Sequence, residues 1–457
     1  MSSHHDDRVP PYLENARARG HWERIGVKKR FGVCAPLFSL RSLRDAGVGD
    51  IGDLYPLVDW CGRIGASVIQ LLPINDMGLD AVPYSALSAF ALDPIYIALD
   101  RVAEIASAPD LCSRLGELST TLNRGSRIDY LQVRREKSAL LEEAYKRADG
   151  AELQSALSQF RAANPWLDDY LVYRTLKEHH EYRSWEDWGH EYSSSDARAR
   201  FESQHRDRVG FHLYEQWLLD RQLREAKAYA NANDVLLKGD IPILVSRDSA
   251  DVWLNPSYFY TNTSAGAPPD MYAEEGQNWG FPTYRWDALA EDDYSWWRAR
   301  LEVAQRYFDL YRIDHVVGFF RIWTIPFGES TGLNGRYVPE EEWTWGDHGS
   351  RLLTMMLESS NMLPLAEDLG TIPPVCRETL RSLGICGFKV QRWEKRWHED
   401  HSFIHPSQYD PLSLATLSTH DSETLAGWWA AFPDERRQLW ETLGKEGAAP
   451  DRIPGEF

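Results

Sequence analysis

Four apolar, strand-like runs in this sequence each end on a carboxylate. VLLKGD ends on Asp240 and YFDLYRID on Asp314; LPLAED reaches Glu367, and LATLSTHD ends on Asp421. Short apolar runs without alternation are those of strands buried on both faces of a parallel sheet. Three further runs, Arg30–Pro36 (RFGVCAP), Ala66–Pro73 (ASVIQLLP) and Ile385–Val390 (ICGFKV), bring the series to seven. The first of these reads as a short buried strand. Helical patterns separate several of them, among them Ile51–Ile64 with Asp50 as N-cap and VCRETLRSL before Gly384. A repeating strand–helix series implies an α/β fold around a parallel sheet, either doubly wound or closed into a barrel. A barrel's active site lies at the C-terminal ends of its strands. Four strands ending in acids therefore aim four carboxylates at one cavity. For any one of them alone, a helix N-cap is the competing reading.

The remaining organisation follows from texture. Residues 1–28 read as a polar, peripheral segment and 29–100 as the first part of the barrel. Residues 101–233 read as a solvated helical insertion, with Glu and Lys or Arg recurring at helical spacing. Residues 234–457 complete the barrel, interrupted by two long aromatic-rich loops at 247–286 and 328–349. Loops of that length are functional or disordered, and the aromatic content favours function.

The formal net charge of −19 repels phosphate backbones and anionic membranes. Neither nucleic acid nor a membrane is expected as a partner, and no apolar run reaches the ~18–20 residues of a membrane span. The five cysteines are scattered without a CxxC pair. They read as free, buried thiols in a reducing cytosol. The N-terminus lacks the apolar core of a signal peptide, so a cytoplasmic location is expected. No Gly-rich dinucleotide or P-loop motif, HExxH or paired-Cys zinc pattern occurs, so neither a dinucleotide, a P-loop phosphate site nor a zinc site has support.

Clustered carboxylates must have a reason to tolerate one another. Acids on successive barrel strands suit Mg²⁺-assisted enolate chemistry. They equally suit glycoside chemistry, in which an ionised nucleophile and a protonated acid flank the glycosidic bond. Arg312 stands two residues before Asp314, on the same face of the strand. Its charge is expected to lower the pKa of Asp314 and keep it ionised. Glu367 follows LPLA with no basic residue in its run, so its pKa is expected to rise. His420 and Asp421 together suit hydrogen bonding to the hydroxyls of one sugar ring. Tyr84, Trp253 and Trp279 fall in predicted loops, where their faces suit stacking on sugar C–H surfaces; core packing is the competing role for any single Trp.

Longer stretches then point to a family. They are GVGDIGDL (Gly47–Leu54), PYSALSAFALDPIYI (Pro83–Ile97), GDIPILVSRDSADVW (Gly239–Trp253) and GAPPDMYAEEGQNWGFPTYRW (Gly266–Trp286). They continue with YRIDHVVGFFRIWTIP (Tyr311–Pro326), LAEDLGTIPP (Leu365–Pro374), GFKVQRW (Gly387–Trp393) and STHDSETLAGWW (Ser418–Trp429). In this order and spacing the chain resembles the 4-α-glucanotransferases of glycoside hydrolase family 77, the amylomaltases or disproportionating enzymes. The resemblance implies a (β/α)₈ TIM-type barrel with an inserted helical subdomain. It implies transfer of an α-1,4-glucan segment to the 4-hydroxyl of an acceptor glucan or glucose, by a retaining double displacement. It places the nucleophile on Asp314, the general acid/base on Glu367 and the transition-state stabiliser on Asp421. Arg312, His420, Asp240, Tyr84 and Trp279 are implied as substrate-binding residues. Maltodextrins and starch- or glycogen-derived α-1,4-glucans are the implied partners, with no cofactor and no metal.

One departure accompanies the match. The family pattern continues past the THD motif with a further strand and an N-x-P-G…N-W segment. The stretch after Trp429, AAFPDERRQLWETLGKEGAAPDRIPGEF, has no counterpart to either. The barrel is therefore expected to lack its last strand and C-terminal segment. An α-1,4-glucan hydrolase with the same three acids, and an inactive or truncated glucan-binding homologue, are the alternative functional readings.

Overall fold

The computed structural model describes residues 9–148, 150–270 and 273–455. The first eight residues of the polar N-terminal segment, and Met271 and Tyr272 of the first long loop, lie outside the described residues. The strands described are, in chain order, β1 (Gly32–Cys34), β2 (Val68–Gln70), β3 (Leu236–Ile241), β4 (Phe259–Tyr260), β5 (Thr263–Ala267), β6 (Gln277–Asn278), β7 (Thr283–Tyr284), β8 (Leu310–Ile313), β9 (Ile322–Pro326), β10 (Arg336–Val338), β11 (Leu363–Ala366), β12 (Cys386–Val390) and β13 (Ser413–Thr416).

Seven of these form one sheet in the order β1-β2-β3-β8-β11-β12-β13, and every pairing in it is parallel. All seven expected strands are present. Their spatial order equals their chain order, as in a barrel. A doubly wound sheet would reverse direction at a switch point. Helices fill the crossovers: Leu54–Ile64 before β2, Arg206–Ala232 before β3, Ser295–Ala304 before β8, Trp345–Ser359 before β11 and Pro374–Leu383 before β12. The first shows why the sequence folds so. Leu54, Val58 and Cys61 recur at helical spacing and form its buried face. Just before it, Asp50 accepts from the Gly52 N–H at 2.9 Å while Asp53 accepts from the Asp50 N–H at 2.9 Å. This is a capping box.

Several expectations are corrected. The Arg30–Pro36 run is a strand over only three residues, and Gly32 and Cys34 are exposed, because β1 is a sheet edge. The charged helical stretch ends in a helix, Arg206–Ala232, that is not solvated. Leu218, Leu219, Leu223, Ala226 and Ala230 are buried in it, and it packs on β3 as part of the barrel wall. All five cysteines are free thiols; Cys61, Cys376 and Cys386 are buried, but Cys34 and Cys112 are exposed. Among the described residues, no helix is long and apolar enough to cross a membrane.

The described part of the N-terminal segment, from Val9 onward, is not peripheral. Leu13, Ala16 and Ile25 are buried in one cluster with Leu310, Leu363 and Cys386, the first residues of β8, β11 and β12. The Trp22 indole donates to the Gly384 carbonyl at 2.8 Å, and the Ala18 N–H to that of Leu383 at 2.9 Å. The segment thus floors the barrel at the N-terminal ends of its strands, opposite the face where the acids lie.

The two long loops carry strands of their own. β5 pairs antiparallel with both β6 and β9, and β9 with β10. The result is a four-stranded sheet in the order β10-β9-β5-β6, joined to the end of β8 by the single turn Val316–Phe319. β4 and β7 form a separate antiparallel pair.

Candidate active site

The register of the parallel sheet decides which side chains meet. Asp240 on β3 pairs with Arg312 on β8, and Arg312 pairs with Leu365 on β11. Arg312 is therefore flanked by the strand that carries Asp240 and the strand that leads into Glu367. Its side chain is buried, and its Nη1 lies 2.9 and 3.0 Å from the two carboxylate oxygens of Asp240. The same Nη1 is 2.8 Å from Oδ1 of Asp314 and 3.3 Å from the Tyr84 hydroxyl. Nη2 is 3.7 Å from Oε2 of Glu367. Burial lowers the pKa of this guanidinium, but Asp240 and Asp314 outweigh burial and raise it.

Tyr84 continues the cluster. Its hydroxyl donates to Asp240 Oδ2 at 2.9 Å and stands 2.8 Å from Nε2 of His420. The two rings are stacked, with centroids 5.5 Å apart and planes 9° apart. His420 Nε2 is 3.2 Å from Oδ2 of Asp421, whose side chain remains 70% exposed at the rim. Trp279, just past β6, sets its ring edge-on to that of His315 at 4.9 Å. Seven of the eight expected site residues are thus joined by direct contacts, and Trp279 is joined through the residue after Asp314. Trp253 is elsewhere. It is partly buried against Tyr173 and Trp188, at 5.6 and 5.7 Å, in a cluster of the helical region.

The protonation of the two central acids differs from a simple pairing picture. Burial is the largest influence on Asp314 and lifts it to about 6; Arg312 pulls it down, while Asp240 and Asp421 push it up. The expected net lowering by Arg312 is not found, because burial outweighs it, with Asp240 and Asp421 adding to the rise. Burial lifts Glu367 further, to about 8, with Arg312 opposing and Asp314 adding. Between about 6 and about 8, Asp314 is ionised and Glu367 protonated. Two adjacent carboxyls then hold opposite protonation states, which general acid and nucleophile roles require. Among the described residues, no three His, Cys, Asp or Glu side chains converge as a metal-binding group. The positive charge among these acids belongs to Arg312.

Two residues escaped the sequence reading. His315 occupies the left-handed region at φ 44°, a conformation costly for a residue with a β-carbon. The turn points its backbone N–H at Glu367, donating to Oε2 at 2.8 Å. Lys238 is buried inside the barrel, donating to Gln70 Oε1 at 2.8 Å and lying 4.8 Å over the Phe388 ring. Burial lowers it to about 7. The period of two along β3 would have placed it on the same face as Asp240.

Comparison with known proteins agrees with this geometry. The family model of glycoside hydrolase family 77, 4-alpha-glucanotransferase, matches residues 35–456. A 4-alpha-glucanotransferase of Chlamydia pneumoniae is 40% identical over 438 residues, covering 95% of this chain and 82% of that protein. One from Chlamydia caviae is 39% identical over 435 residues, covering 94% and 81%. Among solved structures, an amylomaltase from Streptococcus agalactiae in complex with acarbose superposes with a TM-score of 0.83 at 26% identity, covering 93% of this chain and 86% of that one. With its sheet order, its acids at the strand ends and these relatives, the chain belongs to the 4-α-glucanotransferase family, glycoside hydrolase family 77.

Proposed function

We propose that this chain is a 4-α-glucanotransferase that moves α-1,4-glucan segments between maltodextrins by a retaining double displacement. The observation that carries the mechanism is the convergence of Asp314 and Glu367 on one buried guanidinium, at 2.8 and 3.7 Å. Glu367 gives its proton to the glycosidic oxygen while a carboxylate oxygen of Asp314 attacks the anomeric carbon. The leaving glucan departs, and the remaining glycosyl unit is bound as an ester of Asp314. Glu367, now ionised, takes the proton of an incoming 4-hydroxyl, and that oxygen displaces Asp314. Each displacement inverts the anomeric carbon, so the product retains the starting configuration.

Asp421, at the open rim beside His420, is assigned to ring hydroxyls in the transition state. Asp240 and Tyr84, held together with Arg312, are assigned to the donor sugar. Transfer outruns hydrolysis only where water is excluded while an acceptor is held. The 247–286 segment, with Trp279 beside His315, is assigned that covering role. Residues 29–100 and 234–457, together with the Arg206–Ala232 helix, are read as the barrel and the rest of 101–233 as its insertion, and the chain is read as cytoplasmic.

Incubation of the chain with maltotriose tests the proposal. Glucose together with a ladder of longer maltodextrins is the expected result. Maltose and glucose without longer products would replace transfer with hydrolysis, and no reaction in a chain that binds maltodextrin would replace catalysis with binding.

A further inference from the structure

We infer that Trp343 is a second α-glucan contact, outside the cleft, that captures polymeric α-1,4-glucan and leaves short maltodextrins unaffected. The inference rests on the α-glucan reading of the cleft. Trp343 is 83% exposed, and its ring makes no hydrogen bond, ring stack or cation contact among the described residues. Exposed Trp on a mobile tail means little, but this indole is firmly mounted. It sits in the 3-10 turn Glu342–Thr344, closed by the Thr344 N–H and hydroxyl donating to the Glu341 carbonyl at 2.9 and 2.7 Å. The buried Trp345 next to it donates to the Pro339 carbonyl at 2.9 Å. Arg321 lies between Tyr337, at 3.7 Å, and Trp345, at 4.6 Å.

The mount is continuous with the cleft. Trp279 follows β6, one edge of the four-stranded sheet, and the Trp343 turn follows β10, the other edge. Three strand spacings separate those edges by roughly 15 Å. Gly332 donates to the Glu275 carbonyl at 2.8 Å, tying the loop between β9 and β10 to the turn that leads into β6. Exposed Phe327 and Leu333 lie in that loop, each 54% accessible. A glucan leaving the cleft past Trp279 would follow an apolar path along this sheet.

The chemistry of the surroundings selects the ligand. Glu340, Glu341 and Glu342 precede Trp343 in sequence, and Arg336 pairs with Glu340 at 3.2 Å. An aromatic face among carboxylates repels phosphates and anionic lipids but suits a neutral polymer, with C–H faces for the ring and hydroxyls for the acids. A second copy of a chain carrying a net charge of −19 is disfavoured at an acidic patch.

Amylose and maltotriose, compared on wild type and Trp343→Ala, provide the test. We expect KM for amylose to rise about tenfold, the order expected from losing one aromatic contact. KM for maltotriose and kcat for both should stay unchanged, and Trp343→Tyr should restore most of the amylose affinity. Equal effects on both substrates, or none on amylose, would overturn the inference. Retardation in native gels containing amylose reads binding without turnover, so the inference stays testable if maltotriose proves not to be a substrate. Wild type and Trp343→Ala should then differ in mobility. Unchanged retardation with loss of a wild-type dimer would assign the surface to a second copy and overturn it.

Discussion

The Nη1 atom of Arg312 stands 2.8 Å from Oδ1 of Asp314 and within 3.0 Å of both oxygens of Asp240. One buried cation thus holds two carboxylates, with a third within 4 Å. Removing it leaves several buried charges uncompensated, which costs ~3–5 kcal/mol when a buried pair is broken. Arg312→Met should therefore lower thermal stability as well as activity, read from denaturant unfolding and turnover together. Full stability with lost turnover would make Arg312 a binding group only.

Activity should follow a bell-shaped pH profile. Asp314 must be ionised, so the acidic limb falls as pH drops through about 6. Glu367 must be protonated, so the alkaline limb falls as pH rises through about 8. A pH series of kcat/KM on maltotriose reads both limbs. A profile flat to pH 9 would remove Glu367 from the acid role.

Asp314→Asn and Glu367→Gln keep shape and remove one ionisable group each. Either should cut turnover by about 10³-fold or more, since each role acts in the transition state. Maltodextrin affinity, measured by calorimetry, should stay within a few-fold. Turnover near that of wild type in either variant would reassign the residue.

Trp279→Ala removes the ring that meets His315. If the 247–286 segment keeps water from the glycosyl ester, this variant should raise the hydrolysed share of product at unchanged total cleavage. Quantifying glucose against longer maltodextrins over time reads that ratio. A constant ratio would free the segment from the covering role.

Leu13→Ala probes the floor of the barrel. Leu13 is almost fully buried, and large-to-small core changes cost ~2–5 kcal/mol. Unfolding midpoints should drop accordingly, while KM of the folded enzyme stays unchanged because the acids lie at the opposite face.

The seven barrel strands were legible because each lies in a short, largely apolar run, and burial at every position leaves no other reading for LPLA or LYRI. The meeting of Asp240 with Arg312 was not legible, because it depends on the register between β3 and β8. The antiparallel sheet was not legible. β6 spans two residues and β10 three, too short to show any periodicity, and their stability comes from neighbours distant in sequence. The fate of Trp253 was hidden for a related reason: an aromatic in a loop stretch looks the same whether it faces solvent or Tyr173. The net rise of Asp314 was illegible because the sequence shows Arg312 beside it but neither the depth of its burial nor the approach of Asp240.

The flooring segment ties the earliest part of the chain to some of the latest. The hydrogen bond from Trp22 to Gly384 spans 362 residues, and Leu13 packs in one cluster with Phe388. On a ribosome adding ~5–20 residues per second, Leu13 would wait roughly 20–75 s before its partners emerged. During that interval the segment has no native surface to cover, and the nascent barrel has no floor. Assembly of the lower core is thereby deferred until β12 has been made, and the rate of closing so long a loop becomes part of how quickly the enzyme matures.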